Sequence, residues 1–336
     1  MIKFYKLLFF NFMVLGTLIA VSSYSWLSMW MGLEINLLSV IPLFSSTKNL
    51  LTAESSLKYF ITQALASMTL LFSVIMMLLM NEFIMPQVNS FLLMLLNSAL
   101  LTKLGAAPFH FWFPEVMEGL NWTNSLILLT WQKIAPMILI MNNSPSMKFL
   151  SMIIFMSLIV STISSFNQTS LRKIMAFSSI NHIAWMIMAM NSFSVWSLYF
   201  LVYTIISLNI VSIFMYTKSS HIAQLAISMN STKMFKTIVM MNFLSLGGLP
   251  PFLGFLPKWF VINWAIDSNQ FLMTFILIIF TLIMLFIYIK ISFSAFIFNM
   301  MEFKNINPNF KNFYLISFSF ISTNSLILCT MIFSLL

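Results

Sequence analysis

"LILLTWQKIAPMILIM", residues 126–141, decides the fold. Read with its flanks it is a run of about 20 largely apolar residues, enough to cross the hydrocarbon core of a bilayer as one helix. Lys133 stands near its centre. At a rise of 1.5 Å per residue, its amine is roughly 15 Å from either end of the run, beyond easy snorkelling. An ammonium at that depth costs about 2.5–3.5 kcal/mol on insertion scales, so a partner or a task must offset it.

Working outward, the rest of the chain has the same character. Of its 336 residues 60% are hydrophobic and 7% charged, against about 25% charged in a soluble domain. The apolar runs are continuous, not alternating, which excludes an outer-membrane barrel and predicts an all-α, polytopic membrane protein. The single cysteine, Cys329, rules out an internal disulfide and a cysteine-based metal cluster. The start, "MIKFYKLLFFNFMVLGTLIAVSS" (1–23), resembles a signal peptide but lacks a cleavage site followed by a soluble domain. It reads as a retained first crossing.

About eleven crossings are predicted, near 4–22, 25–45, 56–80, 88–118, 123–141, 147–165, 172–190, 194–217, 234–266, 270–293 and 313–335. Two are too long for one straight helix, and these contain "KLGAAPFHFWFP" (103–114) and "SLGGLPPFLGF" (245–255). Each reads as a helix broken at mid-depth and resumed, which is tolerated only inside protein or beside a watery cavity. The broken helix is fourth in each set of five crossings. The expected organisation is therefore a first five-helix repeat (1–141, broken helix 88–118), a second, inverted one (142–293, broken helix 234–266), and a loop with a C-terminal helix (294–336). Paired interrupted helices in inverted halves point to a transport site.

Lysine and arginine placement agrees with this count. On the side of the N-terminus fall Lys3, Lys6, Lys48, Lys58, Arg172, Lys173, Lys218, Lys233, Lys236, Lys290, Lys304 and Lys311, and on the other only Lys148. By the positive-inside rule the N-terminus is inside and the C-terminus outside. The formal net charge of +9 thus reads as topology and not as a nucleic-acid surface.

The ionisable residues within the spans are Glu34, Lys103, His110, Lys133, His182 and Lys258. A carboxylate beside a lysine can pass between ionic and neutral states, and a desolvated lysine can exchange a proton near neutral pH. That chemistry suits a proton relay at Glu34 and Lys133; a structural ion pair is the other reading of Lys133. His110 and His182 fit a relay or a plain helix–helix hydrogen bond equally. Lys58 and Lys290 read as interfacial, Glu115 and Glu118 as solvated or capping. No phosphate-binding glycine loop, nucleotide fingerprint, metal-spaced cluster or nucleophile triad occurs.

The stretches "WMGLEINLLSVIPL" (30–43), "KLGAAPFHFWFPEVMEGLNW" (103–122), "LTWQKIAP" (129–136), "NQTSLRKIMAFSSINHIAWM" (167–186) and "FLSLGGLPPFLGFLPKW" (243–259) resemble the antiporter-like membrane subunits of mitochondrial NADH:ubiquinone oxidoreductase, respiratory complex I. The resemblance covers about three quarters of the chain. The wealth of Met and Phe and the lone Arg172 resemble a mitochondrially encoded gene, nearest in wording to insect members. The resemblance implies a proton-translocating membrane-arm subunit in the mitochondrial inner membrane, N-terminus in the matrix and C-terminus in the intermembrane space. It implies two inverted five-helix repeats, with other membrane-arm subunits, accessory subunits and lipids as partners, and no cofactor in this chain. NADH, FMN, iron–sulfur clusters and ubiquinone would bind other subunits. By the same resemblance Glu34 and Lys103 match a glutamate–lysine pair, Lys133 the central connecting lysine, and Lys258 the lysine after the second break. His182 falls near that axis. The alternative is a stand-alone cation/proton antiporter.

Overall fold

The computed structural model describes residues 4–46, 49–80, 86–143, 145–229 and 233–297. The expected crossing at 313–335, with Cys329, Lys304 and Lys311, lies outside them, as do Lys3 and Lys48. Among the described residues the chain is helical: α1 (Phe4–Ser22), α2 (Trp26–Phe44), α3 (Leu50–Met80), α4 (Pro86–Leu104), α5 (Trp112–Gly119), α6 (Trp122–Leu129), α7 (Trp131–Asn143), α8 (Met147–Ser165), α9 (Leu171–Met188), α10 (Phe193–Thr217), α11 (Ile222–Met229), α12 (Lys233–Gly247), α13 (Phe255–Asp267) and α14 (Phe271–Ile297). Among the described residues seven stretches are long and apolar enough to cross a membrane, α6 and α7 counting together as one.

Contacts divide the chain after Ile153 into two compact units. In the first, α1 lies along α2, α3 packs on α2, α4 and α5, and α7 packs on α4 and α1. Small residues permit the α1–α2 approach. A Cβ built on Gly32 would lie 2.5 Å from the Ala20 nitrogen, and one on Gly16 would lie 2.7 Å from the Asn36 nitrogen. In the second unit, α12 packs on α14 and α10, and α13 on α10, α14 and α9. α9 is buried at every position from Ile174 to Met188, its polar Ser178, Ser179, Asn181 and His182 included. By contrast α1 turns Phe4, Leu7, Phe12, Leu15 and Leu18 outward, an apolar face that suits lipid or another membrane subunit.

The two interrupted helices stop in the same way. Gly105 (φ 74°) and Gly248 (φ 77°) take the left-handed conformation that a side chain disfavours. Gly105 N–H bonds the Thr102 carbonyl and Ala106 N–H the Leu101 carbonyl; Gly248 and Leu249 repeat this on Ser245 and Leu244. Both sets are Schellman caps, which satisfy the carbonyls of Leu101 and Thr102 in α4 and of Leu244 and Ser245 in α12 without water. Three residues on, Pro108 and Pro251 each follow a cis peptide bond.

The stretch that opened the sequence reading is not one straight helix. It breaks at Thr130 (φ −113°, ψ −72°) between α6 and α7, and Lys133 N–H bonds the Thr130 carbonyl three residues back. Pro136 has no N–H to give the Gln132 carbonyl and its ring crowds that carbonyl, so the turn before it cannot be regular. Two further departures are α11, a short helix where a loop is expected, and α3, which begins six residues before the predicted 56. Lys58 thus lies two turns inside α3.

Candidate functional site

Four of the expected groups, Glu34, Lys103, Lys133 and His110, belong to the first unit. Glu34 stands in mid-α2, half-buried, with Oε1 enclosed and no hydrogen bond to it. Lys103 occupies the last turn of α4, 7% exposed, and Lys133 the first turn of α7, 1% exposed. Glu34 is the carboxylate that Lys103 feels electrostatically. The two nevertheless form no ion pair; Lys58 pairs instead with Glu54 (3.0 Å) and Glu115 (2.9 Å). Glu115, expected to be solvated or capping, therefore ties the first turn of α5 to α3. Lys133 Nζ lies 5.9 Å from the centre of the Phe113 ring, a cation–π distance. Phe113 is also what fills the space beside Gly105.

Beside Lys103 lies a cavity of about 20 Å³. Lys103, Asn36, Tyr59, Gln63, Gln132 and Pro136 contribute to its wall. Asn36 Nδ2 donates to Gln132 Oε1 and Gln132 Nε2 donates back to Asn36 Oδ1, both at 3.0 Å. The Tyr59 hydroxyl adds a longer bond to Gln132 Oε1 at 3.4 Å, and Gln63 reaches the Lys103 carbonyl at 3.5 Å. None of these neutral groups stood out in the sequence. The available signal was that Gln132 and Asn36 sit one and two residues from the charges, in runs that are otherwise apolar.

In the second unit Lys258, in the first turn of α13, is 7% exposed. Its Nζ donates to the Gly247 carbonyl at 2.7 Å and lies 5.8 Å from the Trp185 ring centre. A cation there meets the negative end of α12 and occupies one of its terminal carbonyls. The side chain fills the space beside Gly248, where an added Cβ would lie 2.8 Å from both Cδ and Nζ. The two breaks are thus alike in backbone and different in filling: an aromatic ring beside Gly105, the lysine itself beside Gly248. His182, on α9 one turn before Trp185, is buried and its Nδ1 shares a 2.9 Å hydrogen bond with the Tyr199 hydroxyl. The Tyr203 ring lies 5.0 Å away. Back in the first unit, His110 lies in the linker after the first break, its ring 4.4 Å from that of Phe111 and tilted to it by 33°, with Nδ1 enclosed and without a hydrogen bond.

Buried amines beside capped helix breaks, in a bundle whose outer faces are apolar, are the build of an ion-translocating membrane protein. Comparison with known proteins narrows the class. The profile of the NADH:quinone oxidoreductase/Mrp antiporter transmembrane family matches residues 23–284, and the chain belongs to that family. NADH-ubiquinone oxidoreductase chain 2 of Aedes aegypti is 52% identical over 335 residues, covering 98% of both chains. The chain of the same name from Anopheles gambiae is 47% identical over 333 residues, covering 97% of both. A chain of respiratory complex I from Thermus thermophilus has the same fold, with a TM-score of 0.86 at 20% identity, over 98% of this chain and 79% of that one.

Proposed function

We propose that the chain works as the chain 2 subunit in the membrane arm of mitochondrial NADH:ubiquinone oxidoreductase, translocating protons while electron transfer proceeds in other subunits. Identity near 50% over nearly the whole length of two relatives so named carries the assignment. Among the described residues no cluster of His, Cys, Asp or Glu could hold a metal. In this reading NADH, FMN, iron–sulfur clusters and ubiquinone bind other chains of the complex.

Within this role Glu34, Lys103, Lys133 and Lys258 form the proton relay, with His182 and His110 beside it. The observation that supports this is the burial of three lysine amines at helix breaks, a costly arrangement that packing alone would not require. Lys103 and Lys133 take up and release the proton in the first unit. Lys258 does so in the second, where its amine exchanges the Gly247 carbonyl for a water or another carrier. Eleven crossings in two inverted repeats, N-terminus in the matrix and C-terminus in the intermembrane space, complete the reading. The matching Schellman caps at Gly105 and Gly248 and the lopsided lysine distribution support that topology. Other membrane-arm subunits, accessory subunits and lipid cover the apolar outer faces.

Native electrophoresis of mildly solubilised membranes tests the assignment. The chain should co-migrate with NADH dehydrogenase activity; migration alone or with antiporter components would favour a stand-alone cation/proton antiporter. In the assembled complex, Glu34→Gln and Lys103→Met should each leave assembly intact and depress coupled NADH oxidation. Failure of both to assemble would favour a purely structural role for the pair.

A further inference from the structure

α5 is an eight-residue helix between two non-helical linkers, and its first turn has no side-chain cap. A helix so short does not hold its own conformation, so its place is set by tertiary contact. α3 supplies that contact. The Tyr59 ring lies 5.8 Å from the Trp112 ring. A Cβ built on Gly119 would stand 2.5 Å from the Leu51 carbonyl oxygen, so the two backbones touch there. Lys58 Nζ donates to Glu115 Oε2 at 2.9 Å. The same amine meets Glu54, one turn back on α3, at 3.0 Å.

Glu115 and Phe113 are two residues apart, about 200° round the helix, so they face opposite ways. The Glu115 side chain is 57% exposed, whereas Phe113 is 1% exposed. On the inner side the Phe113 ring fills the space beside Gly105 and lies 5.9 Å from Lys133 Nζ. The outer ion pair thus fastens the same half-helix that carries this ring. We infer that Lys58 and Glu115 are positioning residues for Lys133: their ion pair seats α5, and α5 seats Phe113 against the amine. The inference rests on the relay reading above, and neither residue carries the proton. A single exposed ion pair is weak, but a lysine shared by two carboxylates keeps one geometry, and α5 is too short to resist its loss. The ring attracts an ammonium through its face, so a loosened α5 changes what the Lys133 amine meets whenever it is protonated.

The test uses the assembled complex. Glu115→Gln and Lys58→Met should each assemble and lower coupled NADH oxidation about two- to fivefold, the scale of one ion pair or one cation–π contact. Lys58→Arg, which keeps the charge, should restore most of that rate. Glu54→Gln should match the parent, because Glu54 shares α3 with Lys58 and cannot place α5. Equal losses in Glu54→Gln and Glu115→Gln would overturn the inference, since the cluster would then act through its charge alone. Combining Glu115→Gln with Phe113→Leu tests the route through the ring. The combination should be no slower than Phe113→Leu alone, and losses that multiply would overturn the inference. If Phe113→Leu does not assemble, the contrast between Glu54→Gln and Glu115→Gln decides. Loss of assembly in Glu115→Gln would make the pair a folding tie and likewise overturn the inference. Lys133→Met, assayed alongside, separates the two readings. Parental turnover there refutes the relay itself, while an impaired Lys133→Met beside a parental Glu115→Gln refutes only the positioning.

Discussion

Gly248→Ala changes one methyl group and should harm the protein through two separate causes. The residue holds φ at 77°, and an alanine in the left-handed region costs about 1–2 kcal/mol. The new Cβ would stand 2.8 Å from Nζ and Cδ of Lys258, so the lysine must leave its seat. Moving it breaks the 2.7 Å bond to the Gly247 carbonyl, and a hydrogen bond from a charged group is worth about 1.5–3 kcal/mol. Together the loss is about 2.5–5 kcal/mol, with the amine displaced but not removed. The neighbouring Gly247→Ala is the control. Its Cβ would meet Leu285 at 3.3 Å and Tyr288 at 3.5 Å, near ordinary contact, and a helical alanine gains up to about 1 kcal/mol over glycine. The assay is the rate at which assembled complex loses NADH:quinone activity on warming, with coupled turnover beforehand. Gly248→Ala should inactivate faster and turn over more slowly, while Gly247→Ala should match the parent. Equal behaviour of the two variants would refute the account of why this helix breaks where it does.

Gly254→Ala should abolish assembly on native gels, because its Cβ would fall 1.7 Å from the Ser245 carbonyl oxygen and neither backbone can yield. Gly32→Ala should lower the amount of assembled complex, since the methyl group would drive α1 from α2 at 2.5 Å from the Ala20 nitrogen; a normal yield would contradict that packing. Tyr199→Phe removes the hydroxyl 2.9 Å from His182 Nδ1 at a cost of about 1 kcal/mol. It should leave the complex assembled, slow coupled turnover and alter its pH profile; an unchanged profile would assign His182 to packing.

Much of this architecture could be read from the residues because the bilayer imposes it. Long apolar runs had to be helices, and a glycine followed by proline in such a run had to mark a stop. The positions of Lys103 and Lys258 at or near these stops follow from chain spacing alone. What the sequence hid depends on contacts far apart in the chain. Asn36 and Gln132 meet across 96 residues, and Lys58 and Glu115 across 57; nothing local in either partner names the other. The break at Thr130 was obscured because a proline one turn into a helix is compatible with a mere kink. Lys258 finding a carbonyl rather than a carboxylate was equally hidden, since the acceptor is backbone and has no letter in the sequence.

The most direct test of the central claim is Lys133→Met in the assembled complex, with protons moved per NADH oxidised measured in sealed vesicles. The long apolar side chain keeps the bulk packed on Phe113 and removes only the titrating amine. Intact assembly with coupled oxidation and proton movement sharply reduced is the predicted result. Parental oxidation with a parental proton count would contradict it, and Lys133 would then be no more than a buried structural charge.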